Sequence, residues 1–315
     1  QVVIHPTANA PTPRAAGPEI PVKRTTATPV AEATATFGEG PLWDDDRGLL
    51  WWTDIPGSAV HSLDPRTGQD RTIPVARTVG TIAHRASGGL VVASQEGFAA
   101  LGPDGELETI ATINRDAAMR MNDGKPDASG RFYASSMAFD AAQGAGSLVR
   151  LDADLTTHVQ ATGITIGNGL DWSADAATMY FTDTMSFGVD AFTCDPLTGD
   201  LSNRRRLFDI PSSEGWPDGM CLDLEGALWV ALWGGAAVRR YSPDGELLAV
   251  IDLPVEHVTC AAFGGSDYRE LYITTAAPTH AGSDAVNPRG GAVFVARPDV
   301  GGRPPYAFAG CPTCG

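Results

Sequence analysis

An internal repeat of roughly 40 to 50 residues constrains this chain more than any other feature. Six copies follow one another from about Thr25, each with a polar or glycine-containing opening, a turn, and an apolar alternating segment typical of a β-strand. The openings are anchored at Glu39, Thr81, Asn122, Asn168, Asp218 and Thr259. Successive anchors are about 42, 41, 46, 50 and 41 residues apart. A repeat of this length holds one four-stranded blade, so the sequence predicts an all-β, six-bladed β-propeller.

A second turn signature supports the same architecture. It combines proline with a following glycine and occurs at residues 63–68, 101–105, 194–199 and 241–245. Proline presets φ for the first corner and glycine supplies a positive φ, so each copy predicts a hairpin turn between outer strands. No stretch keeps a 3.6-residue period for long, which argues against a helical fold.

The chain of 315 residues divides into three parts by composition. Residues 1–24 are rich in Pro, Ala and Thr and predict an extended arm. Residues 25–310 form the predicted propeller, and 311–315 a short C-terminal tail. The five cysteines are widely spaced and odd in number, which does not resemble a disulfide framework and favours a reducing compartment. Cys311 and Cys314 form a CxxC pair without the further ligands of a zinc site, and are interpreted as part of the tail.

Charge and hydropathy exclude several classes of partner. The formal net charge of −16 argues against nucleic acid, because neutralising phosphates requires a basic surface. No apolar run approaches the roughly 20 residues that a membrane-spanning helix needs. We therefore expect no membrane partner, a monomer or weak homo-oligomer, and a cytoplasmic location, with a secreted or periplasmic location left open.

The six repeat openings predict a central metal site. The first strand of each propeller blade lines the channel, so the openings should meet at one mouth. The carboxylate and amide donors Glu39, Asn122 (with Asp123), Asn168 and Asp218 suit a hard or borderline divalent cation. A single Asn-Gly or Asp-Gly pair is ordinary turn chemistry, but four donors at the same phase of the repeat are not. No serine-hydrolase elbow, phosphate loop or dinucleotide fingerprint competes with this interpretation.

Several motifs, in order along the chain, resemble the senescence-marker-protein (regucalcin), gluconolactonase and luciferin-regenerating-enzyme family. They include Gly38-Glu-Gly-Pro-Leu-Trp43, Arg120-x-Asn-Asp-Gly-Lys125, Asn168-Gly-Leu-Asp-Trp-Ser173 and Pro217-Asp-Gly-Met-Cys-Leu-Asp223. The resemblance extends from about residue 30 to 310. The segment Trp229-Val-Ala-Leu-Trp-Gly-Gly235 is similar to the bacterial sugar lactonases.

The resemblance implies one divalent metal at the channel mouth, held by Glu39, Asn168 and Asp218. Its identity stays open among Ca, Zn, Mn, Mg and Fe(II). Asn122 would lie nearer the substrate, and Arg120 would hold the substrate's oxygens. The family's acidic substrate contact falls near Asp140, although residues 135–137 read Ser-Ser-Met where many relatives have Gly-Thr-Met.

The reaction implied is hydrolysis of a sugar aldonolactone, a small molecule, to the open aldonic acid. The metal would polarise the lactone carbonyl, and Asp218 would act as general base, because a carboxylate beside a cation stays ionised. Lys125 is expected to face solvent or to pair with a blade carboxylate.

Three other functions remain open from the sequence. A calcium-binding regulatory protein without turnover would use the same ligands but would not need Arg120, Asn122 and Asp140. A propeller serving as an interaction platform would not need acidic and amide donors at its mouth. An ester or organophosphate hydrolase of the related paraoxonase-like propellers would share the fold.

Overall fold

The computed structural model describes residues 22–32, 35–278 and 289–311 of the chain. These residues form 25 β-strands and two single-turn 3-10 helices, Thr184–Ser186 and Ser212–Glu214. No helix among them is long and apolar enough to span a membrane. The predicted arm, 1–24, lies outside the described residues except for its last three, and so does the predicted tail after Cys311.

The strands form six sheets arranged as the blades of a propeller, and the predicted fold is confirmed. Blade 1 contains β3 (Gly38–Asp44), β4 (Leu49–Asp54), β5 (Ala59–Asp64) and β6 (Gln69–Pro74); blade 2 contains β7 (Val79–His84), β8 (Leu90–Ser94), β9 (Gly97–Leu101) and β10 (Leu107–Thr112). Blade 3 contains β11 (Met119–Pro126), β12 (Phe132–Ala138), β13 (Gly146–Leu151) and β14 (Thr157–Ile164); blade 4 contains β15 (Gly167–Trp172), β16 (Thr178–Asp183), β17 (Gly188–Cys194) and β18 (Leu201–Asp209).

The last two blades each take a strand from the N-terminal segment. Blade 5 contains β19 (Trp216–Leu222), β20 (Leu228–Trp233), β21 (Ala237–Tyr241), β22 (Leu247–Asp252) and, parallel to β22, β1 (Lys23–Thr26). Blade 6 contains β23 (Val258–Gly264), β24 (Glu270–Thr275), β25 (Phe294–Ala296) and, antiparallel to β25, β2 (Thr28–Pro29). The start of the chain therefore closes the ring by pairing with its end.

The hydrophobic core lies between neighbouring blades. One cluster joins Leu42 and Val60 of blade 1 to Val79 and Ile82 of blade 2, and corresponding clusters occupy the other blade interfaces. Each sheet buries both faces in this way, which explains why second strands of the blades such as β8 and β20 are apolar almost throughout. The inner strands β3, β7, β11, β15, β19 and β23 contact one another in sequence and close into a ring around the channel.

The predicted outer hairpins are present in four blades. Their turns place Gly68, Gly105, Gly199 and Gly245 at φ values of 71°, 92°, 76° and 85°. Residues with a Cβ rarely adopt this region, so glycine is required at these corners.

A C-terminal strap, residues 297–309, crosses the end of the channel at which the inner strands finish. Its backbone bonds to Leu224 of blade 5, Tyr268 of blade 6, His84 of blade 2 and Gly130 of blade 3. Arg303 of the strap also pairs with Asp171 on the inner strand β15. The strap thus links four blades beneath the channel.

Candidate active site at the channel mouth

Four of the predicted donors meet where the inner strands begin. Glu39 lies on β3, Asn122 on β11, Asn168 on β15 and Asp218 on β19, and each is no more than 5% exposed. Polar side chains this deeply buried require compensating partners. Their common position at the start of six converging strands confirms that the repeat openings gather at one mouth.

A local irregularity of the β-ladder lies at each of these four openings. The pairing register between first and second strands shifts between Glu39 and Leu42, Met121 and Gly124, Gly167 and Leu170, and Pro217 and Met220. Such β-bulges re-aim side chains and often occur beside active sites. Asn122, Asn168 and Asp218 are among the residues left outside the ladder.

A chain of hydrogen bonds runs between blades 3, 4 and 5. Arg120 Nη1 donates to Asn122 Oδ1 at 2.6 Å, and Asn122 Nδ2 donates to Asn168 Oδ1 at 2.8 Å. Asn168 Nδ2 donates to Thr184 Oγ1 at 2.7 Å, and that hydroxyl donates to the Pro217 carbonyl at 2.8 Å. The chain fixes both amides, and one lone pair of Asn168 Oδ1 is left for another ligand.

The carboxylates at the mouth repel one another in a buried setting. Burial raises the pKa of Glu39 well above its usual value, and the negative charges of Asp218 and Asp123 raise it further. Burial, followed by the charge of Asp123, likewise raises the pKa of Asp218. Burial lowers the pKa of Arg120 to about 10, although Glu39 and Asp218 favour its charged form. The site therefore has excess negative charge that a bound cation would compensate.

The donor set fits a divalent cation. Among residues 22–32, 35–278 and 289–311, no group of three or more His, Cys, Asp or Glu side chains forms a ready-made metal cluster. The candidate set has two carboxylates, Glu39 and Asp218, and the amide oxygen of Asn168. Oxygen donors of this kind suit hard and borderline cations. The assignment of these three residues as ligands stays a prediction.

The two threonine openings serve the scaffold. Thr81 Oγ1 donates to the Gly124 carbonyl of blade 3 at 3.0 Å, and Thr259 Oγ1 donates to the Gly38 carbonyl of blade 1 at 2.6 Å. Each hydroxyl therefore joins neighbouring inner strands. This explains why six equivalent openings place only four larger donors at the mouth.

Asp140 lies apart from this network. It is exposed in the turn after β12, where its Oδ1 accepts a hydrogen bond from the Ala142 amide at 3.0 Å. The structure shows it as a turn residue, so the predicted substrate contact would require the loop to change. Lys125 instead behaves as expected, since its Nζ pairs with Asp171 at 3.1 Å inside the channel.

Two further residues belong to the site. The Asp123 carboxylate, 7% exposed, accepts a hydrogen bond from the Gly124 amide at 2.7 Å and acts electrostatically on both Glu39 and Asp218. The sequence indicated Asp123, because it directly follows the predicted donor Asn122. Thr184, 5% exposed, follows β16 outside any repeat opening, so no sequence pattern indicated it.

Known proteins are similar to this chain over most of its length. Regucalcin from Xenopus laevis is 38% identical over 294 residues, covering 89% of this chain and 97% of its own. The Bacillus subtilis protein YvrE, provisionally named as a sugar lactone lactonase, is 36% identical over 284 residues, covering 89% of this chain and 97% of its own.

Solved structures show the same fold. A structure titled as a calcium-binding protein, regucalcin, from Agrobacterium tumefaciens has a TM-score of 0.86 and 29% identity, covering 91% of this chain and 98% of its own. A luciferin-regenerating enzyme has a TM-score of 0.84 and 30% identity, covering 90% and 99%. Residues 37–277 match the family described as SMP-30/Gluconolactonase/LRE-like region, from β3 through β24. With the motifs, the propeller and these matches in agreement, the chain belongs to the SMP-30/gluconolactonase/LRE-like family.

Proposed function

We propose that this protein hydrolyses sugar aldonolactones to aldonic acids in a metal-dependent reaction. The observation that carries the proposal is the buried set of Glu39, Asn168 and Asp218 beside the hydrogen-bonded pair Arg120 and Asn122. The first three suit a cation and the other two suit a polyhydroxylated ligand. The gluconolactonase in the family's name and the provisional name of YvrE support a lactone as substrate.

The chain's own groups divide the work. A divalent cation held by Glu39, Asn168 and Asp218 would supply Lewis acidity toward the lactone carbonyl and would keep Asp218 ionised. Asp218 then removes a proton from water as the water oxygen attacks the carbonyl carbon. The ester bond to the ring oxygen breaks, and the ring oxygen becomes a hydroxyl by taking up the proton that Asp218 accepted, which returns Asp218 to its ionised form.

Arg120 and Asn122 orient the substrate in this scheme. The guanidinium is a planar fork of donors, and one of its N–H groups is already committed to Asn122. Its remaining donors can bind lactone hydroxyls or the carbonyl oxygen. Because both side chains are fixed by neighbours, little conformational entropy is lost when substrate binds.

The deciding experiment is a lactone panel followed by the fall in pH as acid forms. Glucono-, xylono- and arabinono-lactones are tested with an aryl ester as comparison, first with chelator and then with added Ca²⁺, Mg²⁺, Mn²⁺ or Zn²⁺. We expect loss of lactone hydrolysis on chelation and recovery with at least one metal. Preference for the aryl ester would favour the paraoxonase-like alternative, and no turnover with any metal would overturn the proposal.

Calcium binding without turnover is the second candidate. It is favoured by the Agrobacterium tumefaciens relative, which is named a calcium-binding protein. An ion-binding protein does not need Arg120, so Arg120→Gln separates the two functions. Lactone hydrolysis should fall sharply while calorimetric Ca²⁺ affinity stays within a few-fold of the parent. Equal hydrolysis by both proteins would remove Arg120 from the substrate site.

A further inference from the structure

A cavity of about 640 Å³ lies between blades 1 and 2, at the end of β3 away from Glu39. Its walls come from the β3–β4 turn, the β7–β8 turn, the β9–β10 turn and the C-terminal strap. It is therefore separate from the candidate active site, and both polar and apolar residues line it.

Two arginines line this cavity without a protein partner. Arg71 and Arg85 make no ion pair or side-chain hydrogen bond within the described part of the chain, and Arg85 Nε is fully buried and unpartnered. The chain has 38 acidic and only 22 basic residues, and most of its described arginines are paired with carboxylates. A buried N–H without an acceptor costs free energy. An incoming anion would supply a charge partner to the two guanidinium groups that line the cavity.

The carboxylates of the opposite wall are largely committed to other groups. Asp44 binds Arg47 at 2.9 Å and the Trp51 indole at 3.0 Å. Asp45 accepts a hydrogen bond from the Trp43 indole at 3.4 Å. Asp46 is exposed to solvent, and none of these three carboxylates forms an ion pair with Arg71 or Arg85.

The rest of the lining suits a flat apolar body. Trp51 is partly exposed, and Pro304 and Pro305 of the strap form a rigid wall. Gly88 and Gly89 contribute bare backbone at φ values of 92° and 80°, and a Cβ on either would enter open space. The C-terminal strap, which carries these prolines, completes the cavity.

We propose that this cavity binds a small organic anion with a planar apolar body. Its carboxylate, sulfonate or phosphate group contacts Arg71 and Arg85, since guanidinium groups bind such oxyanions through paired N–H donors. Its body packs between Trp51 and Pro305. The site is independent of lactone hydrolysis.

The probe is 1-anilinonaphthalene-8-sulfonate, titrated into the full chain at low ionic strength and followed by its fluorescence and by calorimetry. We expect one saturable site, about tenfold or more weaker binding in Arg85→Gln, and a smaller loss in Arg71→Gln. Arg115→Gln is the matched control, because Arg115 is exposed on another loop and has no ion pair in the described structure. Circular dichroism and melting temperature confirm that each variant is folded.

Two comparisons make the outcome decisive. The uncharged analogue N-phenyl-1-naphthylamine should bind at least tenfold more weakly, and benzoate and inorganic phosphate, tested separately as competitors, report whether carboxylate or phosphate is preferred. Unchanged binding in folded Arg85→Gln, or equal binding of the uncharged analogue, would overturn the proposal. Lactone hydrolysis by Arg85→Gln should equal that of the parent, so failure of either proposal is distinguishable from failure of the other.

Discussion

At the scale of single residues, the channel mouth collects side chains that would be destabilising elsewhere in a sheet. Glu39, Asn122, Asn168 and Asp218 are buried at β-bulges, and the last three lie outside the ladder. Burial raises the pKa of both carboxylates, and the charge of Asp218 raises the pKa of Glu39 further. Functional sites commonly retain such unfavourable arrangements, because a ligand stabilises them.

Replacement of Asp218 by Asn should remove the general base while preserving shape and hydrogen bonding. Lactone hydrolysis is expected to fall by about 10²–10⁴-fold, the usual contribution of general base catalysis. The control is Asp175→Asn, at an exposed turn where Asp175 accepts bonds from Ser173 and the Ala177 amide. Near-parent hydrolysis by Asp218→Asn would rule out its role as base.

Glu39→Gln should stabilise the metal-free protein at neutral pH. Burial, the charge of Asp218 and the charge of Asp123 raise the folded-state pKa of Glu39 above its unfolded value of about 4.3. The parent therefore has its full stability below that unfolded value and loses stability as pH rises through the folded pKa. Melting temperatures in chelator from pH 4 to 8 should fall less steeply for the variant.

Added metal should raise the melting temperature of the parent and of Glu39→Gln by different amounts. The parent should gain melting temperature from a bound cation, since any ligand that prefers the folded state stabilises it. Glu39→Gln should gain much less. A variant that melts below the metal-free parent at pH 8 would contradict the proposed charge repulsion at the mouth.

At the scale of elements, the C-terminal strap makes contacts between blades that no blade repeat makes. It bonds to four blades and brings Arg303 to Asp171 under the channel. Asp171 also binds Lys125. Burial raises the pKa of the Asp171 carboxyl, whereas the positive charges of Lys125 and Arg303 lower it, and the net shift is downward. The strap is thereby tied to the inner strands through a buried charge network.

Phe308 is the apolar anchor of the strap. Its side chain is fully buried in the core cluster of blades 2 and 3, with its ring centroid 6.4 Å from that of Phe132. Phe308→Ala should cost about 3–5 kcal/mol of unfolding free energy, the range for deleting a buried aromatic ring. Urea unfolding measures it.

Leu197→Ala is the control for this loss, because Leu197 is 92% exposed and surface changes usually stay within about 0.5 kcal/mol. Equal stability of the two variants would show that the strap is not anchored by Phe308. In limited proteolysis, the C-terminus of Phe308→Ala should be cleaved faster than that of Leu197→Ala.

At the scale of the whole molecule, closure of the ring depends on strands far apart in sequence. β2 pairs Thr28 with Val295 of β25, and β1 pairs Lys23 with Ala249 of β22. These contacts span more than 200 residues. Loop closure over such separations costs little more than over shorter ones, because the cost grows only with the logarithm of length.

A chain beginning at Ala31 should therefore be less stable than one beginning at Val22. The shorter chain lacks β1 and β2, including the buried Ala27 and its amide bond to the Asp252 carbonyl at 3.0 Å. It also exposes the edges of β25 and β22, which promotes association. Melting temperature and light scattering test both effects, and indistinguishable proteins would show that closure does not need the N-terminal strands.

The sequence by itself determined the blade count, the outer hairpins and the four donors at the repeat openings, because these follow from local periodicity and turn chemistry. Asp123 was already visible beside Asn122. The tertiary structure alone decided the rest. Thr184 joins the site because the end of β16 comes close to β19, and Asp140 lies apart because its turn caps itself. The closing strands and the cavity beside Arg85 likewise depend on segments that meet only after the ring is complete, and no local pattern in the sequence encodes such distant contacts.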